Sequence, residues 1–341
     1  MIVTVDDPFG VNGDAALPTL ARCVDPVAIQ SVLDRGVVGL CPPGAVQLRA
    51  IRVIRYKPGR RCLIEYDLVI PSRGNDEIAF TAIGKVRRNR PGRHQLRLQQ
   101  AFWDAGFDDA CSDGISVPEP LGEIPEMAMW LQRRVAGVVA TDLLPGPRGA
   151  ALAGRLADAA WKIHSAGVPA RKVHRIGDEL RILGDCLRAT ASRRPELASR
   201  IDLLTAECAR AAAAVEPLPS AGIHRDFYPD QVVIDGERLT VVDFDLYTAG
   251  DPGLDIGNLL GHVTEQALRE LGSPTALIEV ETAAEERFVK LAGTAARRPV
   301  RLFAALTIAR HVFLADERAA RAPFVTDLLE LARERVDAVN R

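Results

Sequence analysis

Two β-branched runs, Val232–Ile234 and Leu239–Val242, are separated only by Asp235-Gly236-Glu237-Arg238. That spacing and that turn chemistry predict an antiparallel hairpin. A hairpin brings its outer ends together, and here both outer ends are acidic. One is the loop from Asp226 to Asp230; the other is Asp243-Phe244-Asp245. Strand spacing alone sets Asp226 and Asp243 within about 10 Å of each other.

Carboxylates gathered in this way repel one another unless a cation intervenes. Asp side chains combined with amide oxygens suit Mg2+, which keeps water and phosphate oxygens in its other positions. A further carboxylate, set apart from the metal, can hold an acceptor hydroxyl as a base. Phosphoryl transfer needs these parts, because it runs on positioning and charge neutralisation.

A chain of 341 residues with 48% hydrophobic content has room for two globular lobes, each with its own core. The net charge of −2 argues against a nucleic-acid partner. The six cysteines form no Cys-x-x-Cys pair and read as reduced thiols, several of them in the core. The N-terminal MIVTVDDPFG lacks the basic and apolar regions of a signal peptide. No apolar run approaches the roughly 20 residues needed to span a bilayer. A soluble, cytoplasmic protein without a membrane partner is expected.

In the first part of the chain, Asp25 and Pro26 predict a helix start, with Ile29, Val32 and Leu33 on its inner side. Arg49–Tyr56 and Cys62–Ile70 read as strands joined by a turn at Lys57-Pro58-Gly59-Arg60-Arg61. Gly59 among three cations suits either a loop that covers nucleotide phosphates with its N–H groups or an ordinary solvated turn. After the turn Ser72–Asp76, Glu77–Val86 is a third strand. Lys85 falls on the face of Ala79, Thr81 and Ile83. There it either meets an anion such as a nucleotide phosphate or points to water from an edge. Arg87–Arg93 is a basic loop, Gln95–Ala105 a helix ended by Gly106, and Met127–Gln132 a fourth strand.

From Thr141 onward the periodicity is helical. Helices are expected over 151–166, 176–190, 196–215, 281–291, 300–317 and 324–339, with Gly167 closing the first. His164 reads as a packed or capping residue. Asp245, Asp251 and Asp255 suit caps or turns, but capping explains neither Asp226 nor the Asp243/Asp245 pair.

The central stretch resembles the catalytic core of the aminoglycoside phosphotransferase and choline kinase family. Its usual pattern is His-Gly-Asp-x-x-x-x-Asn, a hairpin, Ile-Asp-Trp/Phe-x, and Gly-Asp-Pro-x-x-Asp-Leu-Ala. This chain has His224-Arg225-Asp226-Phe227-Tyr228-Pro229-Asp230-Gln231, then Val242-Asp243-Phe244-Asp245, then Gly250-Asp251-Pro252-Gly253-Leu254-Asp255-Ile256-Gly257. The resemblance implies an α+β, bilobal protein-kinase-like fold. A small β-sheet N-lobe (1–131) would bind nucleotide. A larger, mainly helical C-lobe (132–341) would hold the catalytic and acceptor groups.

The resemblance also implies roles. Asp226 would be the catalytic base. Gln231 and Asp243 would bind Mg2+, with Gln231 in the place of the family's Asn. His224 would hold the loop by hydrogen bonding, Asp245 would support the site, and Asp255, as N-cap of a helix starting at Ile256, would brace it. Lys85 would meet the α/β-phosphates of ATP or GTP, and Lys57, Gly59 and Arg60 would lie above them. Trp130 to Arg133, including Gln132, would be the hinge that receives adenine through backbone groups.

Three positions depart from the family's pattern. Gln231 is longer than Asn by a methylene, Arg225 replaces a small residue, and the helix segment HQLRLQQ offers Lys85 no acid. The implied activity is a kinase acting on a hydroxyl of a small molecule such as an aminoglycoside, sugar or amino alcohol. An inactive nucleotide-binding regulator is the alternative. A metal-dependent phosphohydrolase is disfavoured by the lack of a His-rich ligand set. An aminoglycoside pocket needs acids, and Asp178, Glu179, Asp185, Glu265 and Glu281 are the candidates in the second lobe.

Overall fold

The computed structural model describes residues 3–71, 77–88 and 92–340. The turn expected at Ser72–Asp76 and the middle of the basic loop (89–91) lie outside the described residues. The fold is of the α+β, protein-kinase-like class, with about 53% helix and 20% strand. The chain divides into two compact units, Met1–Ala136 and Gly137–Arg341, a few residues beyond the expected break at 131/132.

The first unit comprises β1 (Thr4–Asp6), α1 (Leu20–Cys23), α2 (Pro26–Arg35), β2 (Gln47–Lys57), β3 (Arg61–Pro71), β4 (Glu77–Arg87), α3 (Gly92–Phe102), β5 (Ile115–Ser116), β6 (Pro120–Ile124) and β7 (Met129–Arg133). Six strands make one sheet in the order β1-β2-β3-β4-β7-β6. Asp25 caps α2 by accepting the Val27 N–H at 2.9 Å, with Pro26 in the first turn. The β2–β3 turn closes with Lys57 opposite Arg61 and Gly59 at φ 65°, a backbone region that disfavours side chains. The core includes Ile51, Ile64, Leu68, Met127 and Met129, all buried. Two strands of the sheet, β1 and β6, were not foreseen. β1 has three residues, too few to show a period, and β6 opens on a proline that reads as a break.

The second unit contains β8 (Val138–Val139), α4 (Ala140–Leu143), α5 (Gly149–Ser165), α6 (Ile176–Arg193), α7 (Ala198–Ala213), β9 (Ala221–Ile223), β10 (Val232–Asp235), β11 (Arg238–Val241), β12 (Thr248–Gly250), α8 (Gly253–Leu271), α9 (Ile278–Ala292), α10 (Arg297–Asp316) and α11 (Val325–Asn340). The hairpin forms as expected, with Val232 opposite Val241 and Asp235 opposite Arg238. Helices α8 and α10 pack at very close range. A Cβ on Gly257 would lie 2.3 Å from Phe303 Cβ, and one on Gly261 2.6 Å from Thr307 Cγ2. Small residues one turn apart let the two backbones approach, so Asn258 of α8 meets Thr307 and Arg310 of α10. Among the described residues, no helix is long and apolar enough to cross a membrane. All six cysteines are free.

Candidate active site

Asp255 sits in the first turn of α8 and is fully buried. Its Oδ1 accepts the Arg225 N–H at 2.7 Å, and its Oδ2 accepts the His224 N–H at 2.8 Å. His164, on α5, donates from Nε2 to the same Oδ2 at 2.8 Å. A carboxylate only accepts, so this bond fixes the imidazole tautomer. The helix dipole adds to the stabilisation of the charge. Asp255 is not the N-cap, contrary to the expectation. The helix starts at Gly253, and Asp251 accepts the Gly253 N–H at 2.8 Å. Pro252 needs no N–H partner at the helix entrance, so the first turn forms ahead of the apolar pattern that begins at Ile256.

The loop held by Asp255 carries Asp226. His224 Nε2–H donates to the Val242 carbonyl at 3.0 Å, and its ring packs 4.8 Å from that of Phe244. This one side chain therefore joins the loop to the residue before Asp243. Asn258 donates to the Arg225 carbonyl at 3.0 Å. Arg225 itself has φ 70°, the left-handed region in which the family's usual glycine is free of strain. Asp243 shares that rare backbone state, at φ 65°. Such residues persist where their surroundings over-determine them, often at functional sites.

Asp226 is half-buried, and burial raises its pKa above the ordinary carboxylate value. Asp243 pushes in the same direction, whereas His224, Arg310 and Arg225 oppose it. The two carboxylates therefore repel each other through space. Gln231 is buried, and its backbone carbonyl accepts the Val242 N–H at 2.9 Å, so Gln231 and Asp243 flank the same end of the hairpin. The donors gathered there are hard oxygens, and the repulsion between Asp226 and Asp243 is what a divalent cation relieves. Among the described residues no group of three or more His, Cys, Asp or Glu side chains stands ready to hold a metal ion, so Asp226, Asp243 and the Gln231 amide would hold Mg2+ only together with phosphate and water oxygens. Asp245 lies in a short 3-10 turn directly after Asp243.

The first unit holds the remaining candidates. Lys85 is buried on β4, between β3 and β7, and so is not an edge lysine. Its Nζ lies 4.8 Å over the ring of Trp130, its cross-strand partner. Lys57, Gly59 and Arg60 stand at the β2–β3 turn. The Gly59 N–H does not stand open toward a ligand. It donates to Asp14 at 2.7 Å, and Asp14 also accepts from the Tyr56 hydroxyl at 2.8 Å. The residues expected to form the hinge lie inside the sheet. Trp130 and Gln132 lie within β7, which is paired with β4 on one side and β6 on the other. Their backbone groups belong to the ladders, and Arg134 N–H still donates to Thr81.

Four residues that support the loop escaped sequence reasoning in that role. His164 comes from a remote helix. Glu179 accepts from His174 Nε2 at 2.6 Å and lies 4.0 Å from both Arg225 and Arg310. Arg310 reaches Asn258 Oδ1 at 3.3 Å. Only Asn258 left a signal, since it follows Asp255 by three positions and shares its helix face.

Residues 85–303 match the model of the phosphotransferase enzyme family, and the chain belongs to that family. A putative aminoglycoside phosphotransferase from Ralstonia eutropha JMP134 superposes with TM-score 0.57 at 14% identity, over 92% of this chain and 98% of that one. Aminoglycoside phosphotransferase APH(4)-Ia gives TM-score 0.55 at 16% identity, over 86% and 93%. A choline/ethanolamine kinase family protein from Mesorhizobium loti gives 0.50 at 18%, over 85% and 86%. No curated protein matches the chain.

Proposed function

We propose that this protein is an ATP- or GTP-dependent kinase that transfers the γ-phosphoryl group to a hydroxyl of a small molecule such as an aminoglycoside, sugar or amino alcohol. One observation carries the reading: Asp226 rides on a loop whose backbone N–H groups at His224 and Arg225 are fixed by buried Asp255, within electrostatic reach of Asp243. Asp226 accepts the hydroxyl proton as the new O–P bond forms and the bond to the β-phosphate oxygen breaks. Asp243 and Gln231 would hold Mg2+, which supplies charge neutralisation for the phosphate oxygens. His224 and Asp255 keep the loop in place, with Asp245 supporting the same corner. Lys85 binds the nucleotide phosphates, and Lys57 and Arg60 lie toward the same ligand. Solved relatives of this fold are complexes with ADP and spectinomycin or with AMP-PNP and hygromycin B, which supports a nucleotide donor. A cytoplasmic location belongs to the same proposal.

The purified protein with Mg2+ and ATP or GTP should phosphorylate some acceptor in a hydroxyl-compound panel. Asp226→Ala should abolish turnover and leave nucleotide affinity within about twofold. A variant that keeps full rate removes Asp226 from the role of base.

A second reading, an inactive nucleotide-binding regulator, is favoured by the absence of an acid in α3 (GRHQLRLQQAF) and by the seat of Lys85 over Trp130. It predicts calorimetric binding of MgATP with no phosphorylated product from the whole panel.

A further inference from the structure

Lys57, Arg61 and Arg87 stand opposite one another on three neighbouring strands, β2, β3 and β4. Side chains alternate along a strand, so residues two apart share a face. The next row, Tyr56, Cys62 and Val86, packs toward the core of the first unit. Lys57, Arg61 and Arg87 therefore belong to the other face. Leu63 and Lys85 lie on that face as well, two positions further along β3 and β4. The row of cations is thus about 7 Å from Lys85 along the sheet.

Like charges directly opposite each other destabilise a sheet. Here two such pairs, Lys57–Arg61 and Arg61–Arg87, follow in succession. The acids of the same face do not sit in this row. Glu65 and Asp67 lie on rungs beyond Lys85, opposite Ile83 and Thr81, and hold Arg52 and Arg134 at 2.7 to 3.2 Å. The face is cationic at its turn end and neutralised from within further along.

The turn itself leaves the reading of an anion to side chains. Its Gly59 N–H is taken on the core side by Asp14, which also accepts the Tyr56 hydroxyl. Asp14 is held in place by accepting the Ala16 N–H at 2.9 Å, between the buried anchors Val11 and Leu17. A guanidinium carries five N–H donors in a planar fork, more than one protein partner takes up, and the fork matches phosphate oxygens in pairs.

We infer that Arg61 and Arg87 are phosphate-binding residues: with Lys57 they grip the outer phosphates of the nucleotide that Lys85 holds, in the place of loop N–H groups. This rests on Lys85 as the phosphate lysine of the proposed kinase.

The test is calorimetric binding to the full chain in Mg2+, with ATP and AMP, and GTP and GMP, as probes. The parent should bind a triphosphate about tenfold or more tightly than its own monophosphate. Arg61→Gln and Arg87→Gln should each weaken triphosphate binding about tenfold and leave monophosphate binding within about twofold. Arg61→Lys should fall between parent and Arg61→Gln. The melting temperature of the nucleotide-free protein should stay or rise, because each glutamine removes a like-charge pair. Equal losses of triphosphate and monophosphate affinity, with a lower melting temperature, would mark a structural role and overturn the inference. So would variants that bind the triphosphate as the parent does. A parent that binds no nucleotide sinks the nucleotide reading along with it, whereas nucleotide binding without turnover sinks the kinase reading alone.

Discussion

His164 Nε2 lies 2.8 Å from Asp255 Oδ2 across 91 positions of sequence, and neither side chain is open to solvent. The pair ties α5 to α8. Because the same carboxylate receives the N–H groups of His224 and Arg225, it also ties both helices to the loop that carries Asp226.

Asp255→Ala removes one acceptor from three donors at once and leaves them buried. Each lost charge-assisted bond is worth about 1.5–3 kcal/mol, and the three are not independent. Urea denaturation should show a loss of roughly 3–5 kcal/mol, and turnover should fall by more than nucleotide affinity does. A loss under about 1 kcal/mol would show that water replaces the carboxylate readily.

Arg225 invites a paired substitution. Its φ of 70° suits glycine, whereas its side chain pairs distantly with Glu179 at 4.0 Å and acts on Asp226 through its charge. Arg225→Gly relieves the backbone and loses the pairing, so it should stay within about 1 kcal/mol of the parent. Arg225→Val keeps a Cβ, adds a branch, and should cost about 1–2 kcal/mol more than the glycine. Equal stabilities of the two variants would contradict the observed backbone conformation.

Much of this site can be read without coordinates. Asp25-Pro26, the turn at Gly236-Glu237 and the order of Asp226, Gln231, Asp243 and Asp255 are local in sequence, and local chemistry dictates them. The supports of the loop are not local. His164, Glu179 and Arg310 reach it from three separate helices, and nothing in their own neighbourhoods distinguishes them from ordinary surface or core residues. Periodicity also misplaced the start of α8, because the helix begins on Asp251, Pro252 and Gly253, which carry no apolar period. The hinge expected at Trp130 to Arg133 meets a related difficulty: sequence shows a strand over Met127–Gln132, but not that strands flank it on both sides.

Gly257 is the closest contact between α8 and α10, with the position of an added Cβ 2.3 Å from Phe303 Cβ and 2.7 Å from Ala304 N. Gly257→Ala should therefore separate the helices, although alanine is the better helix former. The overpacking should outweigh that gain and cost about 2 kcal/mol or more. Asn258, which holds the Arg225 carbonyl, rides on the same helix, so turnover should fall with little change in nucleotide affinity. A more stable Gly257→Ala protein would mean that the helices slide apart without strain.

Asp226 gives a pH test whose sign follows from its surroundings. Burial, aided by Asp243, raises its folded-state pKa above the ordinary value of 3.8. The fold therefore disfavours the ionised form. At pH well above the raised value this opposes folding in full, and the opposition fades as pH falls through it toward 3.8. Asparagine cannot ionise, so Asp226→Asn should be inactive yet more stable than the parent near neutral pH without Mg2+. The difference should close on acidification, read as converging urea midpoints. Added Mg2+ favours the ionised carboxylates and should stabilise the parent more than the variant. Parallel midpoints across the acid range would show that Asp226 is as well solvated in the fold as in the unfolded chain.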